Sequence, residues 1–167
     1  MRVWTTLIDG ETVELPMTIA GVRARLPESE YAEFDAEMAR TPGPRIAQIL
    51  ATWALPAVAW ERIDPAVRRL KAGEYVGEPA DERAVGPTGL ARVRYTEQVR
   101  STLDRMPAPE RAEAETAIGA LAHDPDGYGS ARSGGQDDRR SVTVAGCVLV
   151  YYVSRADSVI TVLHIVV

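Results

Sequence analysis

The chain contains very little cysteine, histidine or lysine. Its 167 residues include one cysteine, Cys147, two histidines and a single lysine, Lys71. A disulfide needs two thiols, so none can form within the chain, and the apolar run around Cys147 predicts a packed thiol. One cysteine and two distant histidines give no metal-ligand spacing. We therefore predict neither a metal site nor a cofactor.

Long hydrophobic runs are also absent. The longest apolar run, Cys147 to Val153, is far too short to span a membrane. Near the start of the chain, no charged stretch leads into an apolar segment of the kind found in signal peptides. We therefore expect a cytoplasmic protein with no membrane partner.

Positive charge is scarce as well. The formal net charge is −5; residues 1–89 carry 10 Lys and Arg against 14 Asp and Glu, and residues 90–167 carry 9 Arg against 10 Asp and Glu. Proteins that grip phosphates usually show a basic face. Overall charge therefore gives no support for nucleic-acid binding, and such a function has to be argued from particular residues.

The first part of the chain, residues 1–72, predicts a hairpin followed by helices. Asp9-Gly10 between two β-favouring runs is typical of a type I′ turn. Helical spacing of apolar residues predicts three helices, over about 26–38, 44–53 and 64–72. We place Asp64 at the N-cap of the third helix, with Pro65 at its first position.

Residues 73–92 differ from both flanking parts. They include four glycines, two prolines and several acidic residues. Such a composition cannot hold a long helix and predicts a linker or an extended arm. The chain thus divides into residues 1–72, residues 73–92 and residues 93–167.

The third part, residues 93–167, has the clearest pattern. Alternation and helical spacing predict a short strand, two helices and three further strands in the order β-α-α-β-β-β. Their expected bounds are 93–95, 96–106, 109–122, 139–145, 147–154 and 158–166. With the mainly helical N-terminal part, this order predicts an α+β fold.

Several short motifs in this third part occur together. They are Tyr95-Thr96, the run Leu121 to Pro125, Arg139-Arg140, the run Ala145 to Val153, and the run Val159 to Leu163. In this order and spacing they resemble the RelE/ParE toxin superfamily. The resemblance implies a twisted antiparallel sheet with a helix pair on one face. It also implies one of two activities, because some members cut messenger RNA on the ribosome and others inhibit DNA gyrase without cutting.

The resemblance points to four candidate catalytic residues: Arg139, Arg140, Tyr152 and His164. In a metal-independent endoribonuclease, Arg139 would stabilise phosphate charge, and Tyr152 or His164 would assist proton transfer. Because side chains alternate along a strand, we expect Arg139 on an open face and Arg140 on the apolar one. Structural roles are the alternative: arginines paired with Asp137 and Asp138, and Tyr152 and His164 as packing residues.

The run Cys147 to Val153 is apolar at every position, whereas a strand with one wet face should alternate. Something besides the helix pair must cover the second face, and residues 1–89 are the candidate. A helical, acidic segment followed by an acidic arm resembles an antitoxin fused to its toxin. We thus expect a toxin–antitoxin-type protein whose toxin module is neutralised by its own N-terminal segment.

Partners and rival functions follow from the same resemblance. Messenger RNA or the ribosome would be the external partner, and a homodimer stays open. Many members carry a basic residue or histidine after the last strand, whereas this sequence ends in Ile165-Val166-Val167. That departure favours a non-enzymatic interaction module, and a gyrase-directed inhibitor is a further alternative.

Overall fold

The two β-favouring runs near the start form a hairpin of strands β1 (Trp4–Ile8) and β2 (Glu11–Leu15). The turn residues Asp9 and Gly10 have φ angles of 51° and 84°. Positive φ at both central positions is what a type I′ turn requires, so the predicted hairpin is confirmed. In the computed structural model, the described residues are 3–80, 92–126, 131–133, 136–144, 146–156 and 158–167.

Four helices follow the hairpin. They are α1 (Ile19–Arg25), α2 (Tyr31–Arg40), α3 (Ile46–Ala54) and α4 (Ala57–Lys71), with 3-10 turns at Glu28–Glu30 and Gly43–Arg45. The helix expected over 26–38 begins only at Tyr31, after Pro27 and the 3-10 turn, and α1 is an additional helix that the sequence analysis did not predict. No helix in the described part of the chain is long and apolar enough to cross a membrane.

The predicted start of the third helix is wrong. Helix α4 begins at Ala57, and Pro65 lies inside it with Asp64 just before. A proline inside a helix removes one backbone hydrogen bond and usually kinks or ends the helix. Here four residues at helical spacing pack into the core and keep the segment helical. They are Ala59, Ile63, Val67 and Leu70.

Residues 73–80, called the arm below, belong to the sheet. Strand β3 (Glu78–Pro79) pairs antiparallel with β4 (Arg92–Tyr95). Gly77 has a φ of 75°, and a Cβ at this position would overlap the carbonyl oxygen of Tyr95. The arm thus needs glycine where it crosses the end of β4. The rest of the predicted linker, residues 81–91, lies outside the described residues.

The third part of the chain has the predicted order of elements. After β4 come α5 (Glu97–Arg105), α6 (Ala108–His123), β5 (Ala131–Ser133), β6 (Gln136–Val144), β7 (Cys147–Ser154) and β8 (Val159–Val166). Among the described strands the sheet order is β3-β4-β8-β7-β6-β5. Neighbours pair antiparallel except β4 and β8, which are parallel. The predicted α+β fold is confirmed, with β3 and β5 as unpredicted additions.

The sheet has an apolar core on each face. On one face, helices α5 and α6 pack on the sheet through residues that include Val99, Leu103, Ile118 and Leu121. The other face packs against the hairpin and the four N-terminal helices, β1 to α4, which together are called the N-terminal half below. The two faces of β7 divide as alternation requires: Leu149, Tyr151 and Val153 face α5 and α6, and Val148, Val150 and Tyr152 face the N-terminal half. The N-terminal half therefore supplies the second cover that the apolar strand demands.

Gln48 of α3 connects the N-terminal half to the sheet backbone. Its amide nitrogen donates to the carbonyl oxygen of Ser141 at 2.9 Å, and its amide oxygen accepts from the backbone nitrogen of Thr143 at 3.0 Å. Gln48 is buried. The amide thus bonds one donor and one acceptor of β6 in the manner of a neighbouring strand.

We expect Gln48→Met to lower the free energy of unfolding by about 2–4 kcal/mol, because a donor and an acceptor of β6 lose their partner in the core. Urea unfolding followed by circular dichroism measures the change. Ala47→Met, the same side chain at the exposed neighbouring position, should change stability by less than about 0.5 kcal/mol. Equal effects of the two substitutions would show that the amide contacts contribute little.

Candidate functional site

The two arginines of β6 lie on opposite faces of the sheet. Arg139 is opposite Tyr152 on β7, whereas Arg140 is opposite Tyr151. The alternation expected from the sequence is therefore present. The expectation of an open face for Arg139 is wrong, because this residue is only 8% exposed beneath α4.

Two residues of α4 cover Arg139. Nη1 of Arg139 donates to Oδ1 of Asp64 at 3.1 Å, and the guanidinium carbon lies 4.8 Å from the centroid of the Trp60 ring. Burial lowers the pKa of Arg139, and the Asp64 carboxylate opposes that change. The group remains a cation, because arginine does not deprotonate in proteins. A buried positive charge at the sheet is thus balanced by the N-terminal half.

Arg140 takes part in an ion-pair cluster on the other side. Its Nη1 lies 3.4 Å from Oδ1 of Asp126, and Arg155 contacts the same carboxylate at 2.8 Å. The hydrogen bond from Arg155 is the largest cause of a lowered pKa at Asp126. The alternative pairing with Asp137 and Asp138 falls on side chains outside the described part of the chain. Arg140 therefore has a structural partner and lies apart from Arg139.

His164 lies in the core at an irregular point of β8. The pairing of β7 and β8 shifts register between Val150 and Tyr151, where His164 is opposite Val150. Nε2 of His164 lies 2.6 Å from the hydroxyl of Thr6 and 3.4 Å from the amide nitrogen of Gln98. Burial lowers the pKa of His164 to about 4, so the ring is neutral at pH 7. Its surroundings are those of a packed residue.

The side chains of Gln98 and Thr6 form hydrogen bonds with backbone groups around this bulge. The side chain of Gln98 accepts from the nitrogen of Ile165 at 3.1 Å and donates to the oxygen of Ile165 at 3.3 Å. Thr6 donates to the same carbonyl oxygen at 3.0 Å. Next to them, Thr5 and Val167 exchange two backbone hydrogen bonds. His164 is thus held in a network that joins β1, α5 and the end of β8.

One line of side chains crosses four strands on the face covered by the N-terminal half. The strand registers place Arg139 opposite Tyr152, Tyr152 opposite Thr161, and Thr161 opposite Arg94. We call Arg139, Tyr152, Thr161 and Arg94 the cross-strand row. With a strand spacing of about 4.8 Å, its two arginines are about 14 Å apart at the backbone. Arg139 and Tyr152 of this row are candidate site residues from the sequence, whereas Thr161 and Arg94 are not.

The arm covers Arg94 much as α4 covers Arg139. Arg94 donates to the carbonyl oxygens of Val76 at 3.2 Å and Gly77 at 2.5 Å, and its guanidinium carbon lies 5.3 Å from the centroid of the Tyr75 ring. Between the arginines, the buried hydroxyl of Thr161 has no hydrogen-bond partner among the described residues. Alternation along β4 could have predicted that Arg94 lies on the face opposite Val93 and Tyr95. The sequence gives no signal that the arm contacts Arg94.

The candidates thus separate into three places. Arg139 and Tyr152 are cross-strand neighbours, Arg140 lies on the other face, and His164 lies at the bulge of β8. A surface hollow of about 180 Å³ lies between the hairpin, α5, α6 and Cys147, and none of the four candidates lines it. The described residues include no group of three or more acidic, histidine or cysteine side chains placed to hold a metal ion.

Comparisons with known proteins found no match, whether to a protein-family model, a curated protein or a solved structure. The relationship to RelE/ParE toxins therefore stays a prediction that rests on the motifs and on the order of elements.

The pKa of His164 predicts a loss of stability in acid. The unfolded chain takes up a proton near pH 6.5, and the folded chain does so only near pH 4. The free energy of unfolding should therefore fall by about 3 kcal/mol as the pH drops through this window, and this contribution should level off below it. His164→Gln should remove this part of the pH dependence, as measured by urea unfolding between pH 4 and 7. His123→Gln at the exposed histidine should retain it.

Proposed function

We propose that this chain is a RelE/ParE-like toxin module held inactive by the N-terminal half of the same polypeptide. The observation that carries the proposal is the cover over Arg139, in which Asp64 neutralises the guanidinium and Trp60 packs on it. A phosphate bound to Arg139 would have to occupy the position that the side chains of Asp64 and Trp60 fill. The N-terminal half would thus act as an antitoxin in cis.

In the exposed module, the proposed substrate is messenger RNA on the ribosome. The 2′-hydroxyl gives up its proton and attacks the adjacent phosphorus, the bond to the 5′-oxygen breaks, and that oxygen takes up a proton, so the products are a 2′,3′-cyclic phosphate and a free 5′-hydroxyl. Arg139 stabilises the negative charge on the phosphate oxygens, and its cross-strand neighbour Tyr152 assists proton transfer. Arg140 and His164 take no part in this scheme, since each has structural partners elsewhere.

A non-enzymatic interaction module is the second candidate. The observation that favours it is that one of the two apolar cores is continuous from the N-terminal helices to β7 and β8. Such a core makes the cover a permanent part of the fold, and the chain then acts by binding through its outer surface. This candidate requires no catalytic residue.

Expression of separate parts tests the proposal. Residues 90–167 alone should arrest growth and cut ribosome-bound messenger RNA, and residues 1–89 supplied as a second chain should restore growth. The full chain should be harmless. Within the fragment, Arg139→Gln should lower cleavage by about 10²–10³-fold through loss of one charge-stabilising group, and Arg140→Gln should retain most cleavage.

Different outcomes separate the candidates. A fragment that is folded by circular dichroism, soluble and harmless contradicts the neutralised toxin and leaves the interaction module. Growth arrest with intact messenger RNA and impaired DNA supercoiling points to the gyrase-directed alternative.

A further inference from the structure

The surface hollow of about 180 Å³ lies where the hairpin meets the turn between α5 and α6. Leu7 and Thr12 line it from the hairpin, and Arg105, Met106 and Glu110 line it from the two helices and their turn. At about 30 Å³ for each water molecule, the hollow has room for about six of them. That volume is below the range of drug-sized binding sites, so the ligand that it can hold is a small metabolite.

Two charged side chains of opposite sign line the hollow. Arg105 is the last residue of α5, and Glu110 lies in the first turn of α6. Their neighbours Asp104 and Arg111 pair with each other at 2.8 Å, whereas Arg105 and Glu110 have no ion-pair partner in the part of the chain that the structure describes. Arg105 would attract an anion and Glu110 would repel it, and the reverse holds for a cation. A ligand that carries one positive and one negative group satisfies both side chains.

The uncharged part of the lining is apolar or carries only threonine hydroxyls. Leu7 and Cys147 are buried, and Met106 and Val167 are half-buried. A hydrocarbon group placed against these side chains leaves water, which favours binding. A free α-amino acid with an aliphatic side chain offers all three features that the hollow can recognise, namely a carboxylate, an ammonium group and a hydrocarbon group.

We propose that this hollow binds a free aliphatic α-amino acid, with its carboxylate at Arg105, its ammonium group at Glu110 and its side chain against Leu7 and Met106. The site goes beyond the proposed function, because none of the four candidate catalytic residues lines it. The ligand contacts both the hairpin and the helix pair. Its binding therefore stabilises the attachment of the N-terminal half to the rest of the chain.

Both charges also suit their helix ends. A cation stabilises the last turn of α5, and an anion stabilises the first turn of α6. That role alone predicts a small loss of stability on substitution and no ligand binding. Substitutions in the protein therefore have to be combined with truncations of the ligand.

Titration of the isotope-labelled full chain with L-leucine, followed by heteronuclear NMR, measures affinity and locates the site. The backbone amide signals of residues around the hollow should shift and saturate, with a Kd in the millimolar range or below. Three truncated ligands each lack one feature: isocaproate lacks the ammonium group, isoamylamine lacks the carboxylate and glycine lacks the side chain. Each should bind at least about tenfold more weakly than L-leucine, because one charged hydrogen bond or the apolar contact is lost.

Variants match each ligand group to one side chain. Arg105→Gln should weaken L-leucine binding at least about tenfold without weakening isoamylamine binding, since that ligand has no carboxylate. Glu110→Gln should likewise weaken L-leucine but not isocaproate. The same changes at exposed positions outside the hollow, Arg25→Gln and Glu113→Gln, should leave the affinity for L-leucine unchanged.

Three outcomes would overturn the inference. One is the absence of saturable shifts with millimolar L-leucine while the NMR spectrum shows a folded chain. Another is an affinity for L-leucine that Arg105→Gln and Glu110→Gln change no more than the two control substitutions do. The third is equal affinity for L-leucine and isocaproate, which would make the hollow a site for simple carboxylates.

Discussion

Both faces of strand β7 are buried, and the rest of the architecture depends on this constraint. Every residue from Cys147 to Val153 is buried. An apolar strand of this kind is stable only in a sheet with a layer on each side. Helices α5 and α6 are one layer, and the hairpin with α1–α4 is the other. Loss of the N-terminal layer would expose Val148, Val150 and Tyr152 to water, so the rest of the sheet depends on that layer for the cover of one face.

The edge of the sheet imposes a second constraint. Strand β4 pairs with β8 only as far as Tyr95 opposite Val162, so the last residues of β8 need other hydrogen-bond partners. Gln98 bonds both backbone groups of Ile165, and Thr5 pairs with Val167. The hairpin is therefore joined to the sheet by backbone hydrogen bonds as well as by apolar contacts. This ties the N-terminal half to the same strand that holds His164.

Much of the fold could be predicted from the sequence because its signals are local. Alternation indicated the strands, the Asp9-Gly10 turn indicated the hairpin, and the two-faced apolar strand indicated a second cover. Pro65 misled the prediction, since packing of α4 outweighs the local preference of proline for a helix start. The partners of the candidate residues could not be predicted. Contacts such as Asp64 with Arg139 depend on how distant segments pack, which no local pattern encodes.

The net charge of a segment likewise gives no information on which distant residues its charged side chains contact. The third part of the chain is nearly neutral when its charges are counted, which gave no support for binding of phosphates. The structure distributes that charge unevenly, because Arg94 and Arg139 lie on one face of the sheet, and the carboxylate that pairs with Arg139 comes from Asp64 in the N-terminal helices. The cover therefore does two things at once. It removes water from the face, and it satisfies both cations with oxygen atoms and aromatic rings. A group that displaced this cover would have to replace both kinds of contact, an acceptor oxygen and an aromatic ring, at each arginine.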